Sequence, residues 1–149
     1  MGQQGKHLNS IKVSHEKHTA GCATEIMAIP ETVCISMSQH IGAPCKPLVK
    51  KGDQVKVGQL IGDTDAFVSA PIHSSVSGTV KEISTIRSVT GGDDQVVIIE
   101  TDGNQDVYEE IKPPVINDMK DFIAAVRASG LVGLGGASFP THIKLNPKN

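Results

Sequence analysis

The chain carries one stretch whose residue types could hold an anion, Gly130-Leu-Val-Gly-Leu-Gly-Gly-Ala-Ser-Phe-Pro-Thr-His-Ile-Lys-Leu145. Gly133, Gly135, Gly136 and Ala137 have little or no side chain, so their backbone N–H groups can approach a phosphate without steric hindrance. Lys144 follows closely enough to add a point charge. Phosphate cradles have this composition, and such a loop opens a nucleotide or flavin domain. Only four residues follow Leu145, so the chain reads as an N-terminal piece of a larger protein, with the domain that the loop introduces missing from it.

Other reactive side chains lack the company that chemistry requires. His40 and His73 each stand beside a turn, Gly42-Ala-Pro44 and Ala70-Pro71. No Ser-His-Asp or Cys-His set of interpretable spacing accompanies either, so hydrogen bonding to backbone is expected of both. Cys22, Cys34 and Cys45 are odd in number and fit neither a disulfide framework nor a Cys-x-x-Cys site, so they read as reduced thiols. His15, His18 and Cys22 would supply three metal ligands without an obvious fourth, and are read as unpaired side chains in a polar stretch. Glu109-Glu110 is expected to be a solvated linker. No catalytic residue and no metal ligand is assigned.

The elements that must position the loop are mostly strands. Thr32–Met37, Pro47–Lys50, Gln54–Val57, Gln59–Ile61, Phe67–Ser69, Gly78–Ile83 and Val96–Glu100 are short, rich in β-branched residues and separated by Gly, Asp and Ser turns. With no Trp, one Tyr and three Phe, their core must be aliphatic. Pro113-Pro114 closes this region. Asn117 is then the expected N-cap of a helix over 118–129, the one helix expected, docked through Met119, Phe122, Ile123 and Val126 at i, i+3, i+4, i+7. Arg127 suits its last turn, and Gly130 its left-handed C′ position. Three regions result: an arm at 1–24, a β domain at 25–112, and a linker, helix and opening of a further domain at 113–149.

The chain has 149 residues and a formal net charge of −2 with no basic stripe, which argues against nucleic acid as a partner. There is no run of about 18 apolar residues and no apolar leader at the start, so a cytoplasmic location is the default expectation.

Val49-Lys-Lys-Gly-Asp-Gln-Val-Lys-Val-Gly-Gln-Leu-Ile-Gly62 and Ser69-Ala-Pro-Ile-His-Ser-Ser-Val-Ser-Gly-Thr-Val-Lys-Glu-Ile83 resemble the two halves of a lipoyl or biotinyl carrier domain, which implies a barrel-sandwich hybrid. A carrier presents a lysine on the hairpin between the halves. This chain has Gly62-Asp-Thr-Asp-Ala-Phe67 there, so no such group can be attached at that place.

Together with Ser38-Gln-His-Ile-Gly-Ala-Pro44 and the glycine loop, these motifs resemble the C subunit of the Rnf electron-transport complex from about residue 25 onward. That family is a membrane-associated ferredoxin:NAD oxidoreductase coupled to ion transport. The resemblance implies a peripheral subunit on the cytoplasmic side of the cell membrane, with other Rnf subunits as partners. It also implies FMN, NAD(H) and 4Fe-4S clusters in the full-length protein, and places Gly133, Gly135, Gly136, Ala137 and Lys144 on the loop that binds flavin and nicotinamide nucleotide. Ferredoxin or NADH would be met only through the full-length protein. The fragment itself is expected to be a non-catalytic docking domain without cofactor, since it lacks the cluster cysteines of the family.

There are departures. Ser10-Ile-Lys-Val-Ser-His15 replaces a Gly-Gly-Ile-His-Pro-like opening, and Leu134 and Ser138 replace the Arg and the last Gly of the similar loop in complex I relatives. Two other readings stay open: an unmodified carrier-like binding module, and the N-terminal domain of a related flavin enzyme such as a cobalamin reductase.

Overall fold

The computed structural model describes Ser14, residues 16–88 and residues 91–146. Most of the expected arm, including His15 and all of the Ser10–His15 opening except Ser14, lies outside these residues; its described part forms a turn near Lys17–Gly21 and no strand.

Among the described residues, seven strands form two antiparallel sheets. One contains β1 (Thr32–Ser36), β7 (Asp93–Thr101), β6 (Gly78–Arg87) and β3 (Gln54–Val55) in that order; the other runs β2 (Lys46–Pro47), β4 (Leu60–Asp63), β5 (Ile72–His73). The β6–β7 hairpin is the longest pairing, from Gly78 opposite Thr101 to Arg87 opposite Asp93, with a register shift between Val80 and Glu82. Both strands outrun their expected limits because the hairpin continues past the core into solvent, where local pairing needs no apolar face. Phe67–Ser69, expected as a strand, is irregular, and the partner of β4 is instead Ile72–His73.

The core is aliphatic, as the scarcity of aromatics requires. Met37, Val55, Ile61, Val80, Val97 and Ile99 are fully or almost fully buried in one cluster that joins residues of both sheets. Its buried hydroxyls are satisfied locally: Ser77 Oγ donates to Asp102 Oδ1 at 2.6 Å and Ser74 Oγ to Val76 O at 2.7 Å, which removes the cost of burying them.

The chain leaves this barrel along a strap. Val57 forms a parallel bridge with Val107, donating to Asp106 O at 2.9 Å, and Tyr108 N donates back to Val57 O at 3.0 Å. Glu109 pairs with Lys56, and hydrogen bonding to Glu110 raises the pKa of Tyr108. The acidic pair is thus exposed but engaged with partners, which corrects the reading of a merely solvated linker.

Helix α1 spans Met119–Ala128. Its N-cap is Asp118, whose side chain accepts from Asp121 N at 2.9 Å, and not Asn117. Asn117 instead donates through its backbone and side-chain nitrogens to Asp121 Oδ2, a reciprocal arrangement that satisfies two donors at once. Gly130 is the expected left-handed residue, at φ 71°. A Cβ there would lie 2.5 Å from Pro71 O, so only glycine lets the helix end press against the barrel.

Two expectations fail in this region. The stripe on α1 is not buried: Met119 is 65% and Phe122 38% exposed, because no sheet of the described residues covers that face. A second helix, α2 (Thr141–Leu145), follows Pro140 and packs on α1. Residues 131–146 fold back on the barrel, where Ile41 N donates to Ala137 O at 3.1 Å.

Ile61→Ala should therefore destabilise the chain by about 2–5 kcal/mol, whereas Phe122→Ala should cost less than about 2 kcal/mol, below the range for a buried aromatic. Urea denaturation of both variants measures the contrast; equal losses would mean that the α1 stripe is part of the core.

Candidate functional site

The glycine loop is closed at its base and held at its far side. Val132 and Pro140 form an antiparallel bridge, Gly133 N donates to Phe139 O at 3.0 Å, and Thr141 N donates to Leu131 O at 3.0 Å. Lys144, on α2, returns to this base. Its ammonium lies 5.8 Å from the Phe139 ring centroid and 3.2 Å from where a Cβ on Gly133 would stand. Gly135 and Gly136 have no atom within 4 Å of their missing Cβ positions, so that side of the loop is open. The fold thus brings Lys144 to Gly133 and leaves Gly135 and Gly136 accessible, while Ala137 turns its carbonyl to the barrel. Ser138 adopts φ 51°, the left-handed conformation that favours glycine, at the place where the resembling loops have glycine.

The hairpin that carries a prosthetic lysine in carrier domains has another task here. Asp63, at the end of β4, receives both guanidinium nitrogens of Arg127, at 2.8 Å and 3.3 Å, and Arg127 Nη2 also donates to Thr64 O at 3.1 Å. Burial opposes ionisation of Asp63, but the Arg127 hydrogen bond, the Thr64 N–H and the charges of Arg127 and His73 outweigh it and hold the carboxyl below its ordinary value. This bidentate pair ties α1 to the barrel. The end of the helix is incompletely packed: a cavity of about 550 Å³ lies between α1, the strap and His73, and one of about 120 Å³ lies between Gly130, His40 and His73.

Neither histidine stands in an activated pair, although His40 Nε2 lies 3.7 Å from Cys45 Sγ. His40 is buried and contacts backbone. Burial lowers the pKa of His73, partly countered by Asp63. Cys45 is buried, and burial together with Asp63 raises its thiol pKa against the effect of Arg127, the opposite of activation. His18 pairs with Glu16 at 2.9 Å. Among the described residues no group of three His, Cys, Asp or Glu side chains is placed to hold a metal ion, and no helix is long and apolar enough to cross a membrane.

Asp63, Arg127 and His142 are not marked as site residues by sequence reasoning. Arg127 has a local explanation in the helix dipole. Asp63 occupies the very hairpin where a carrier would have lysine, which is its available signal. His142 Nδ1 is buried without a hydrogen-bond partner, and nothing local marks it.

Residues 6–104 match the family model described as the RnfC barrel sandwich hybrid domain. The chain belongs to this family. The matched residues include every described strand of the barrel, so the RnfC barrel-sandwich hybrid is the fold that the resemblance to carrier domains implied. Among curated relatives, the C subunit of the proton-translocating ferredoxin:NAD(+) oxidoreductase complex of Clostridium ljungdahlii is 46% identical over 136 residues, covering 89% of this chain and 30% of the relative. Its counterpart in the Na(+)-translocating ferredoxin:NAD(+) oxidoreductase complex of Acetobacterium woodii is 50% identical over 119 residues, 78% of this chain and 27% of the relative. The corresponding protein of the ion-translocating oxidoreductase complex of Rhodobacter capsulatus is 35% identical over 138 residues, 89% and 26%. The chain spans less than a third of the length of these relatives. The first and third matches are long enough to extend beyond the barrel toward the helices and the glycine loop.

The Asp63–Arg127 pair predicts an acid-sensitive mount for α1. Because the folded-state pKa of Asp63 is lowered, the pair's contribution is complete above the ordinary carboxylate value and disappears as pH falls through the folded-state value. Arg127→Ala should lose about 1 kcal/mol at neutral pH and clearly less once Asp63 is protonated, when the Thr64 O contact remains. Chemical denaturation followed through the helical signal, at neutral pH and in acid well below the ordinary carboxylate value, measures this difference; a penalty independent of pH would show that the ion pair does not hold the helix.

Proposed function

We propose that this chain is the N-terminal part of an RnfC protein, within a membrane-associated, ion-translocating complex that passes electrons between ferredoxin and NAD. Family membership and the names of the relatives support that assignment. The barrel is a non-catalytic docking domain for the other Rnf proteins on the cytoplasmic side of the membrane. Residues 113–149 are the linker, helix and opening of a flavin- and NADH-binding domain.

The observation that carries the site assignment is the meeting of Lys144 with the backbone at Gly133. The Gly133 N–H is itself taken by Phe139 O, so the ammonium would supply a point charge while the open backbone at Gly135 and Gly136 admits the anion beside it. The residues present fit the phosphate end of FMN: Lys144 would balance its charge, and Gly133, Gly135, Gly136 and Ala137 would give it room. Bound there, the flavin would supply the electron transfer that the side chains of this chain cannot perform. Leu134, 97% exposed, offers no guanidinium to the nucleotide. Clusters of the 4Fe-4S type belong to other parts of the full-length protein.

Lys144→Ala in the full-length protein should weaken FMN retention about tenfold or more, the value of one charge-assisted hydrogen bond. Flavin content after gel filtration, read by absorbance, measures it. Unchanged content would return Lys144 to packing on Phe139.

A further inference from the structure

The barrel does more than carry the glycine loop at a distance, because one of its own loops reaches the loop backbone. His40 is buried and its ring joins two separate stretches of chain. Nδ1 lies 3.2 Å from Ile41 O, and Nε2 lies 3.0 Å from Ala70 N. The tautomer with its hydrogen on Nδ1 satisfies both contacts: Nδ1–H donates to the Ile41 carbonyl while Nε2 accepts from the Ala70 amide. The Ala70 carbonyl, 3.1 Å from Nε2, is then left for the Cys45 thiol, which donates to it at 3.2 Å.

This ring fixes Ile41 from one side, and Gly42 fixes it from the other. Gly42 has φ 111°, and a Cβ on it would lie 2.1 Å from Val68 O; the next residue, Ala43, donates to the same carbonyl at 3.3 Å. Between these two restraints the N–H of Ile41 points outward and donates to Ala137 O at 3.1 Å. The adjacent Ser138 stands at φ 51°. A non-glycine residue keeps that conformation only where its surroundings impose it. The bridge of Val132 with Pro140 restrains the base of the loop, and the Ile41 hydrogen bond restrains its outer turn.

We infer that His40 is a positioning residue for the glycine loop, acting through the Ile41 N–H to hold the backbone around Ala137 and Ser138 in the shape that receives an anion. The inference rests on the reading of that loop as a phosphate cradle. It assigns the barrel a direct part in the site: the loop is shaped by the domain before it as well as by whatever follows it.

Amide hydrogen exchange on the 149-residue chain tests the contact. Ending the chain after Gly130 removes the acceptor without touching the barrel core, and protection of the Ile41 amide should fall about tenfold or more, the value of one lost hydrogen bond, while that of Val80 stays unchanged. Equal protection of Ile41 in both chains overturns the inference. His40→Leu should speed Ile41 exchange and shift the amide resonances of Gly135, Gly136 and Ser138 toward random-coil positions. His40→Gln, which keeps an acceptor for Ala70 N–H, should restore them in part. If His40→Leu fails to fold, His40→Gln decides: partial loss of Ile41 protection supports the inference and full protection overturns it.

FMN retention by the full-length protein then separates the two readings. Loss in both Lys144→Ala and His40→Leu supports the inference. Loss in Lys144→Ala alone refutes the role of His40 and leaves the cradle standing. Unchanged retention in Lys144→Ala refutes the cradle, and the inference falls with it.

Discussion

An aliphatic interior shared by two small sheets is the constraint on which everything else in this chain depends. Strands of two residues, such as β2, β3 and β5, cannot persist through their own ladder hydrogen bonds. They persist because Val55 of β3, Ile72 of β5 and Cys45 immediately before β2 enter the same cluster as Met37, Ile61, Val80, Val97 and Ile99. With no large rings to fill space, shape is set by branched and flexible aliphatic side chains, and the backbone must approach itself closely at turns.

Outside that core the arrangement is held chiefly by directional polar contacts. Helix α1 has no buried residue and is flanked by cavities, so dispersion contacts cannot define its position well. A bidentate Asp63–Arg127 pair, the close approach of Gly130 to Pro71 and the Ile41–Ala137 hydrogen bond define it instead. Such contacts specify geometry at small net energy. This suits a mount whose apolar face, Met119 and Phe122 included, remains exposed in the described residues.

The hairpin joining the two sheet halves shows how one scaffold serves different ends. Where a carrier domain has a modified lysine, this chain has Asp63, and the carboxylate captures a helix of its own chain. The tip thereby becomes an internal docking point, consistent with a barrel that presents the segment after it.

Much of this was legible in the sequence for local reasons. Alternating β-branched runs between Gly and Asp turns marked most strands, and the acidic first turn, Arg127 and Gly130 placed α1 within a residue of its observed limits, since caps and periodicity depend only on near neighbours. The glycines and Lys144 identified the candidate cradle by composition, and four motifs in order pointed to the family. What the tertiary structure decided were the long-range polar pairings and the exposure of faces. Asp63 meets Arg127 across 64 positions and His40 meets Ala70 across 30. Val132 bridges Pro140 to return the chain to the barrel, and the α1 stripe stays open. A carboxylate or an imidazole has no periodic signature of its partner; the pairing exists only after the barrel closes and brings distant backbone and side-chain atoms within hydrogen-bonding distance.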